Sequence, residues 1–242
     1  MRYGIISDVH SNIEAFHAVT NAMSRERIDE YIFLGDLVGY GADPHACIAA
    51  MRLLRPKIMI AGNHDWGILG LLSPGYFNDA AAAAILWTKA ELDTKEFDYL
   101  RSFKLFYEER EFTLTHGSLN KPARFNYIFT ADDACITMRL SRTPLCFVGH
   151  THSTGIFCMD KGEVSASKDY RVKIDPDKRY LINAGSVGQP RDGDSRASYA
   201  IYDNRTSTVE IKRTEYDLKT AQDKIIKAGL PDWLAYRLSE GR

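Results

Sequence analysis

Long apolar runs are missing from this chain. No stretch reaches the roughly 18 consecutive apolar residues of a membrane-crossing helix, and Met1-Arg2-Tyr3-Gly4 leads directly into a short strand-like segment instead of the extended apolar core of a secretory leader. A soluble cytoplasmic protein is the expectation. An excess of charge is missing too: 31 Lys and Arg stand against 32 Asp and Glu, a formal net charge of -1. No global field therefore draws in nucleic acid or an anionic membrane, and any anionic ligand has to be attracted locally. Cysteine pairs are also lacking. Cys47, Cys135, Cys146 and Cys158 are dispersed and form no Cys-x-x-Cys, which argues against a disulfide framework and a thiolate zinc site. They read as small core residues. There is no internal repeat, low-complexity tract or linker, and 242 residues at 45% hydrophobic content can bury a substantial core. A single domain over residues 1–242 is expected.

What is present is a succession of short apolar segments that end in ligand-type residues. Residues 3–6 read as a buried strand running into Ser7-Asp8-Val9-His10-Ser11-Asn12, after which Phe16, Val19 and Met23 recur on one helical face. Ser11 and Glu14 have capping-box spacing, and the helix is expected over residues 12–27. Residues 31–34 form a second strand ending in Gly35-Asp36, before a helix with Asp43 at its N-cap and Pro44 at its first position. Residues 58–60 form a third, ending in Gly62-Asn63-His64-Asp65. Residues 78–101 read as helix, and residues 104–107 and 112–115 as a hairpin running into His116-Gly117-Ser118. A loop over 119–130, with Lys121, Arg124, Asn126 and Tyr127, precedes a helix over 131–140 and a strand, Leu145-Cys146-Phe147-Val148, that ends in Gly149-His150-Thr151-His152. The remainder reads as short antiparallel strands followed by helices over 217–228 and 231–238. That second, mainly antiparallel sheet is expected to stack on the first, giving an α/β fold of two packed β-sheets flanked by helices.

Open α/β sheets gather ligands beyond the carboxyl ends of their strands. Collected there, Asp8, His10, Asp36, Asn63, His116, His150 and His152 supply two carboxylates, one amide and four imidazoles. Seven such ligands exceed one tetrahedral zinc site and suit two divalent ions sharing a carboxylate. Mixed nitrogen and oxygen ligation admits manganese, iron, zinc, cobalt or nickel. Two ions of this kind can activate water for attack on a phosphoester. His17 and His45, within and at the start of helices, read as surface or helix-end residues.

The series Asp8-x-His10, Gly35-Asp36, Gly62-Asn63-His64-Asp65, His116 and Gly149-His150-x-His152 resembles, in order and separation, the motifs of the calcineurin-like metallophosphoesterases over residues 3–193. Gly35 to Gly41 and Asn183 to Asp192 resemble a small prokaryotic phosphodiesterase-like branch. The resemblance implies a four-layer αββα sandwich, with Asp8, His10 and His152 on one metal ion, Asn63, His116 and His150 on the other, and Asp36 bridging them. It implies His64 as a catalytic residue that donates a proton to the leaving oxygen or stabilises charge on the phosphoryl group, with Asp65 as its orienting partner. Arg191, in the late glycine-rich loop, is a candidate phosphate contact, as are Tyr40, Arg124 and Tyr127. Phosphoprotein phosphatases and symmetrical dinucleoside tetraphosphatases carry one arginine after Gly-Asp and another before Gly-Asn-His; here those positions read Gly39-Tyr40 and Ala61. Purple acid phosphatases place a tyrosine ligand where this chain has Gly39. A small phosphodiester or organic phosphate is the expected substrate. The alternatives are a phosphomonoesterase, a nucleotide pyrophosphohydrolase and, in another class, a non-catalytic interaction scaffold.

Overall fold

The computed structural model describes residues 1–167 and 169–242. In chain order the first half comprises β1 (Arg2–Ile6), α1 (Ile13–Ser24), β2 (Glu30–Phe33), α2 (Pro44–Leu54), β3 (Ile58–Met59), α3 (Asn63–Ile68), α4 (Asp79–Glu91), α5 (Thr94–Arg101), β4 (Phe106–Glu108), β5 (Phe112–Thr115), α6 (Ala131–Leu140) and β6 (Leu145–Val148). There follow β7 (Thr154–Asp160), β8 (Glu163–Ser167), β9 (Arg171–Lys173), β10 (Arg179–Ala184), β11 (Ala197–Asp203), β12 (Thr208–Thr214), α7 (Leu218–Lys227) and α8 (Asp232–Glu240). Two six-stranded sheets result, ordered β3-β2-β1-β11-β12-β9 and β4-β5-β6-β10-β7-β8. Each is mixed. β1, β2 and β3 run parallel, as do β5, β6 and β10, while β11 and β7 join these groups antiparallel.

The late strands therefore do not make a sheet of their own, as their alternating pattern suggests. β9, β11 and β12 extend the first sheet, and β7, β8 and β10 the second. Local alternation reports one buried face and is silent about which neighbour a strand pairs with. The layers follow from side-chain alternation. Tyr3 and Ile5 point between the sheets with Ile32, Leu34, Phe112, Phe147 and Ile182, whereas Ile6 faces outward to Phe16, Val19 and Met23 of α1. Cys146 and Val148 pack on the far side against Ala134 and Met138 of α6. All four cysteines are unpaired. No described helix is long and apolar enough to cross a membrane.

Helix boundaries show where local reading fails. α1 is capped by Asn12, whose side chain accepts from Ala15 N, and not by Ser11. Ser11 lies at φ 53° in the preceding loop and donates its N–H to Leu37 O, while Glu14 pairs with Lys224 of α7. Asp43 stands at the N-cap of α2 but makes no cap bond; its carboxylate also goes to Lys224. The helix expected over 78–101 breaks at Leu92, because Asp93 and Glu96 form a capping box that starts α5.

The strand-end loops are stitched by buried polar contacts, and Asp65 is central among them. Its Oδ2 accepts from Asp36 N and Gly62 N, both at 2.9 Å, and its Oδ1 from Leu37 N at 3.0 Å. One carboxylate thus joins the loops after β2 and β3. Expected outcome: Asp65→Ala leaves three buried N–H donors unpaired and lowers unfolding free energy in urea by about 3–5 kcal/mol, whereas Asp65→Asn, which keeps one acceptor oxygen, costs roughly half as much. A loss below about 1 kcal/mol for the alanine variant would refute the latch.

Candidate metal centre

The loops after β1, β2, β5 and β6 bring Asp8, His10, Asp36, His116, His150 and His152 together, and Asn63 opens α3 after β3, beside His64, whose N–H Asp36 accepts; each of the seven is at most 4% exposed. Asp8, His10, Asp36 and His152 form one cluster of potential metal ligands, and Asp36, His116 and His150 another. Asp36 belongs to both. The backbone is bent to achieve this: Asp8, His10, Asp36, His150 and His152 all adopt positive φ, between 49° and 70°. Non-glycine residues populate that region at a cost of order 1 kcal/mol or more each, and they persist where surrounding bonds over-determine them. Here Asp8 N donates to Gly35 O, His10 N to Asp36 O, Gly149 N to His116 O and Gly188 N to Asp8 O. Glycine is required where these loops touch. A Cβ on Gly62 would lie 2.0 Å from Asp36 Oδ1, and one on Gly149 1.9 Å from Ser7 Oγ.

Each carboxylate is half committed. Asp36 Oδ1 accepts from His64 N and Asp8 Oδ2 from His150 N, while Asp36 Oδ2 and Asp8 Oδ1 are buried without a hydrogen-bond partner. Asn63 Oδ1, His116 Nε2 and His150 Nε2 are orphaned in the same way. The imidazoles are oriented from behind. Nδ1 of His10 faces Val38 O, that of His116 faces Leu34 O and that of His152 faces Gln189 O. With Nδ1–H donated to a carbonyl, each ring turns its Nε2 lone pair inward, the arrangement typical of metal-ligating histidine. Nε2 of His10 and of His152 lie only 3.0 Å apart. Asp8 Oδ1 is 3.2 Å from His152 Nε2, and Asp36 Oδ2 is 3.2 Å from His116 Nε2. Donors each about 2.1 Å from a shared ion would be separated by such distances. Converging, unsatisfied donors of this kind fit divalent cations, since burying them without a positive partner is costly.

Protonation follows the same crowding. Burial lowers the pKa of His10, His150 and His152. It also lowers that of His116, but the Asp36 and Asp8 carboxylates outweigh it and lift His116 to about 9. Burial would raise both carboxyls, yet the His152 and His116 charges hold Asp8, and those of His116 and His64 hold Asp36, well below the usual range. A proton between His116 and the carboxylates thus stands where an ion would compete for the same lone pairs.

His64 lies outside both clusters, its ring 4.8 Å from that of His10, 4.3 Å from Tyr40 and 5.3 Å from Phe77. Burial pushes its pKa to about 4 against the pull of Asp36. Asp65 does not orient it. The Asp65 carboxylate is consumed by the three backbone donors of the loop latch, and His64 Nδ1 has no hydrogen-bond partner. Burial and the Asp36 charge push the Asp65 carboxyl up to about 7, while its N–H bonds from Gly62 and Asp36 pull the other way.

Of the proposed substrate contacts, Tyr127 stacks on His150 with centroids 3.9 Å apart and planes 10° apart. Tyr40 sits against His10 and His64, and the Arg191 guanidinium lies 5.4 Å from the Tyr40 ring centroid. The Arg124 side chain is exposed, its N–H donates to Lys121 O and its carbonyl accepts from Tyr76 OH. His17 is exposed on α1, and His45 pairs with Glu96 at 2.8 Å. A residue absent from the sequence reading is Arg237 of α8. Its partly buried guanidinium is pushed down to about 10 by burial and then by the charge of Arg191. Leu234 and Leu238 betray the apolar face of α8, but nothing local tells that this face closes over Tyr40.

A family model described as calcineurin-like phosphoesterase superfamily domain matches residues 1–207. An uncharacterized protein of Methanocaldococcus jannaschii is 41% identical over 244 aligned positions, covering 98% of this chain and 97% of that one. The crystal structure of a metallophosphoesterase from Sphaerobacter thermophilus superposes with a TM-score of 0.89 at 39% identity, with all of both chains covered. A hypothetical protein from Pyrococcus horikoshii shares the fold, at TM-score 0.83 and 20% identity, over 100% of this chain and 98% of that one. With the motif residues gathered at one edge of two packed mixed sheets and the family model spanning most of its length, the chain belongs to the calcineurin-like phosphoesterase superfamily.

Proposed function

We propose that this protein is a dinuclear metal-dependent hydrolase of a small phosphodiester or organic phosphate, working as one 242-residue cytoplasmic unit. What carries the reading is the pair of donor clusters that share Asp36. The first would be held by Asp8, His10 and His152, and the second by Asn63, His116 and His150. Two divalent ions held so supply positive charge for a phosphoryl oxygen and lower the pKa of bound water. β12, α7 and α8 lie beyond the matched residues, yet β12 is part of the first sheet, which supports treating the chain as one unit.

The chain's own groups supply positioning and proton handling. Carbonyl contacts fix the rings of His10, His116 and His152, so that no reorganisation is needed when substrate arrives. His64, confined by Gly39, Tyr40 and Phe77, is the group outside the donor clusters suited to donate a proton or hydrogen bond to a leaving or phosphoryl oxygen. Arg191 offers a guanidinium to phosphate oxygens at the Tyr40 side. Against a scaffold role stands the presence of every donor together with His64.

Three outcomes test this reading. Metal analysis after dialysis against manganese should give two ions per chain for wild type and fewer for Asn63→Ala, and chelation should lower the melting temperature; a chain that retains no divalent ion would sink the proposal. Hydrolysis of bis(p-nitrophenyl) phosphate and p-nitrophenyl phosphate should both fall at least about 1,000-fold in Asp36→Asn, with the diester favoured in wild type. A monoester preference would point to phosphomonoesterase, and undiminished activity in the variant would assign the turnover elsewhere. His64→Ala should keep both ions and lose about 100- to 10,000-fold in kcat; unchanged turnover by the metal-loaded variant would remove His64 from the chemistry.

A further inference from the structure

Two arginines from distant parts of the chain are carried toward the metal centre by the segments that hold them. Arg191 follows β10 in a loop fastened on one side to the centre, where its N–H donates to His152 O at 3.0 Å. On the other side Gly193 N donates to Gly241 O, the cap of α8, also at 3.0 Å. Arg237 occupies the last turn of that helix. α8 is seated by Leu234 and Leu238 in the apolar cluster that contains Tyr40, and Leu238 lines the same crevice as His10, Tyr40 and Gln189. The two guanidinium groups are thus carried to one rim.

Their hydrogen bonding is incomplete in a directed way. Arg191 spends Nε and Nη2 on Gln189 Oε1, and Arg237 spends Nε on the main-chain oxygen of Arg242. Nη1 of Arg191 and both Nη of Arg237 have no partner among the described residues. Nor does any described Asp or Glu carboxylate lie within ion-pair distance of either group, in contrast to Arg196 with Asp194 and Arg213 with Asp192 in the same region of the chain. Aromatic faces support the pair instead: Tyr40 under Arg191 and Trp233 at 5.9 Å from Arg237. Like charges brought onto one rim repel, and an anion between them relieves the repulsion. The lowered pKa of Arg237, due first to burial and then to Arg191, agrees with this proximity.

We propose that Arg191 and Arg237 bind a second phosphate group of the substrate, beside the phosphoester held at the metal centre, and that α8 is thereby part of the substrate site. The inference rests on the phosphoesterase reading for its first phosphate. It also accounts for the departures at Tyr40 and Ala61, where related phosphatases carry arginines: the cationic clamp is supplied from the loop after β10 and from α8, and Tyr40 becomes the platform under Arg191. The substrate class it selects is a small organic ester with two phosphates a few bonds apart.

The test is calorimetric binding of propyl phosphate and of propane-1,3-diyl bisphosphate to the manganese-loaded full chain. Wild type should bind the bisphosphate about tenfold or more tightly, the worth of one charge-assisted contact. In Arg191→Ala and in Arg237→Ala that ratio should fall to within about twofold, with Arg237→Lys intermediate. Arg205→Ala, which removes an exposed charge on the β11–β12 turn, should leave it unchanged. A ratio near one in wild type, an undiminished ratio in Arg237→Ala, or an equal loss in Arg205→Ala would overturn the proposal. Should Arg237→Ala fail to melt cooperatively, Arg237→Gln decides by the same ratio. Hydrolysis is measured separately, so a chain that shows the ratio without turnover rejects the phosphoesterase reading alone, and turnover without the ratio rejects the arginine site alone.

Discussion

Two buried carboxylates, each with one oxygen bound by a backbone N–H and the other left bare, are the constraint around which this molecule is built. Asp8 and Asp36 are no more than 1% exposed, and four imidazoles crowd their free oxygens. Such an arrangement is unfavourable without compensating positive charge. It can be held only if the backbone behind it cannot relax. The positive φ of five donor residues, the carbonyl contacts to three rings and the three N–H bonds of Asp65 are the devices that prevent relaxation.

Those devices depend in turn on the sheets. Parallel strands deliver their carboxyl ends to one edge, and two sheets packed face to face deliver two sets of such ends to the same place. The apolar layer between the sheets, with Ile5, Leu34, Phe112, Phe147 and Ile182, fixes their separation. Close backbone approach at Gly62 and Gly149 then becomes possible, and any side chain at either position would push a carboxylate or its neighbour out of place. The outer rim is assembled differently. Tyr40, Arg191 and Arg237 are positioned by the packing of α7 and α8 on the loop after β2, which links the end of the chain to the centre.

The donor set was readable from the chain because each ligand sits directly after a short apolar segment, and strand-end position together with residue type restricts the chemistry. His116 and the His150-x-His152 pair converge with Asp8 and Asp36 where those signals put them. Adjacency to His64 suggests partnership for Asp65, but on the first turn of α3 the two side chains diverge and the carboxylate meets the loop behind. Ser11 misled similarly, since capping-box spacing cannot reveal that its backbone is held by Leu37. The break before α5 was legible in Asp93 and Glu96 and was hidden by the favourable helix composition on either side.

By itself, then, the sequence determined which acidic and imidazole side chains stand at the strand ends, the strand-loop-helix order and the two-sheet architecture, because these rest on local pattern and on residue chemistry. Only the tertiary structure decided which late strands enter which sheet, that Asp65 latches two loops, and that α8 brings Arg237 toward Tyr40. Those outcomes depend on contacts between residues far apart in the chain, such as Gly193 with Gly241 and Glu14 with Lys224, whose energies arise only after the layers have packed.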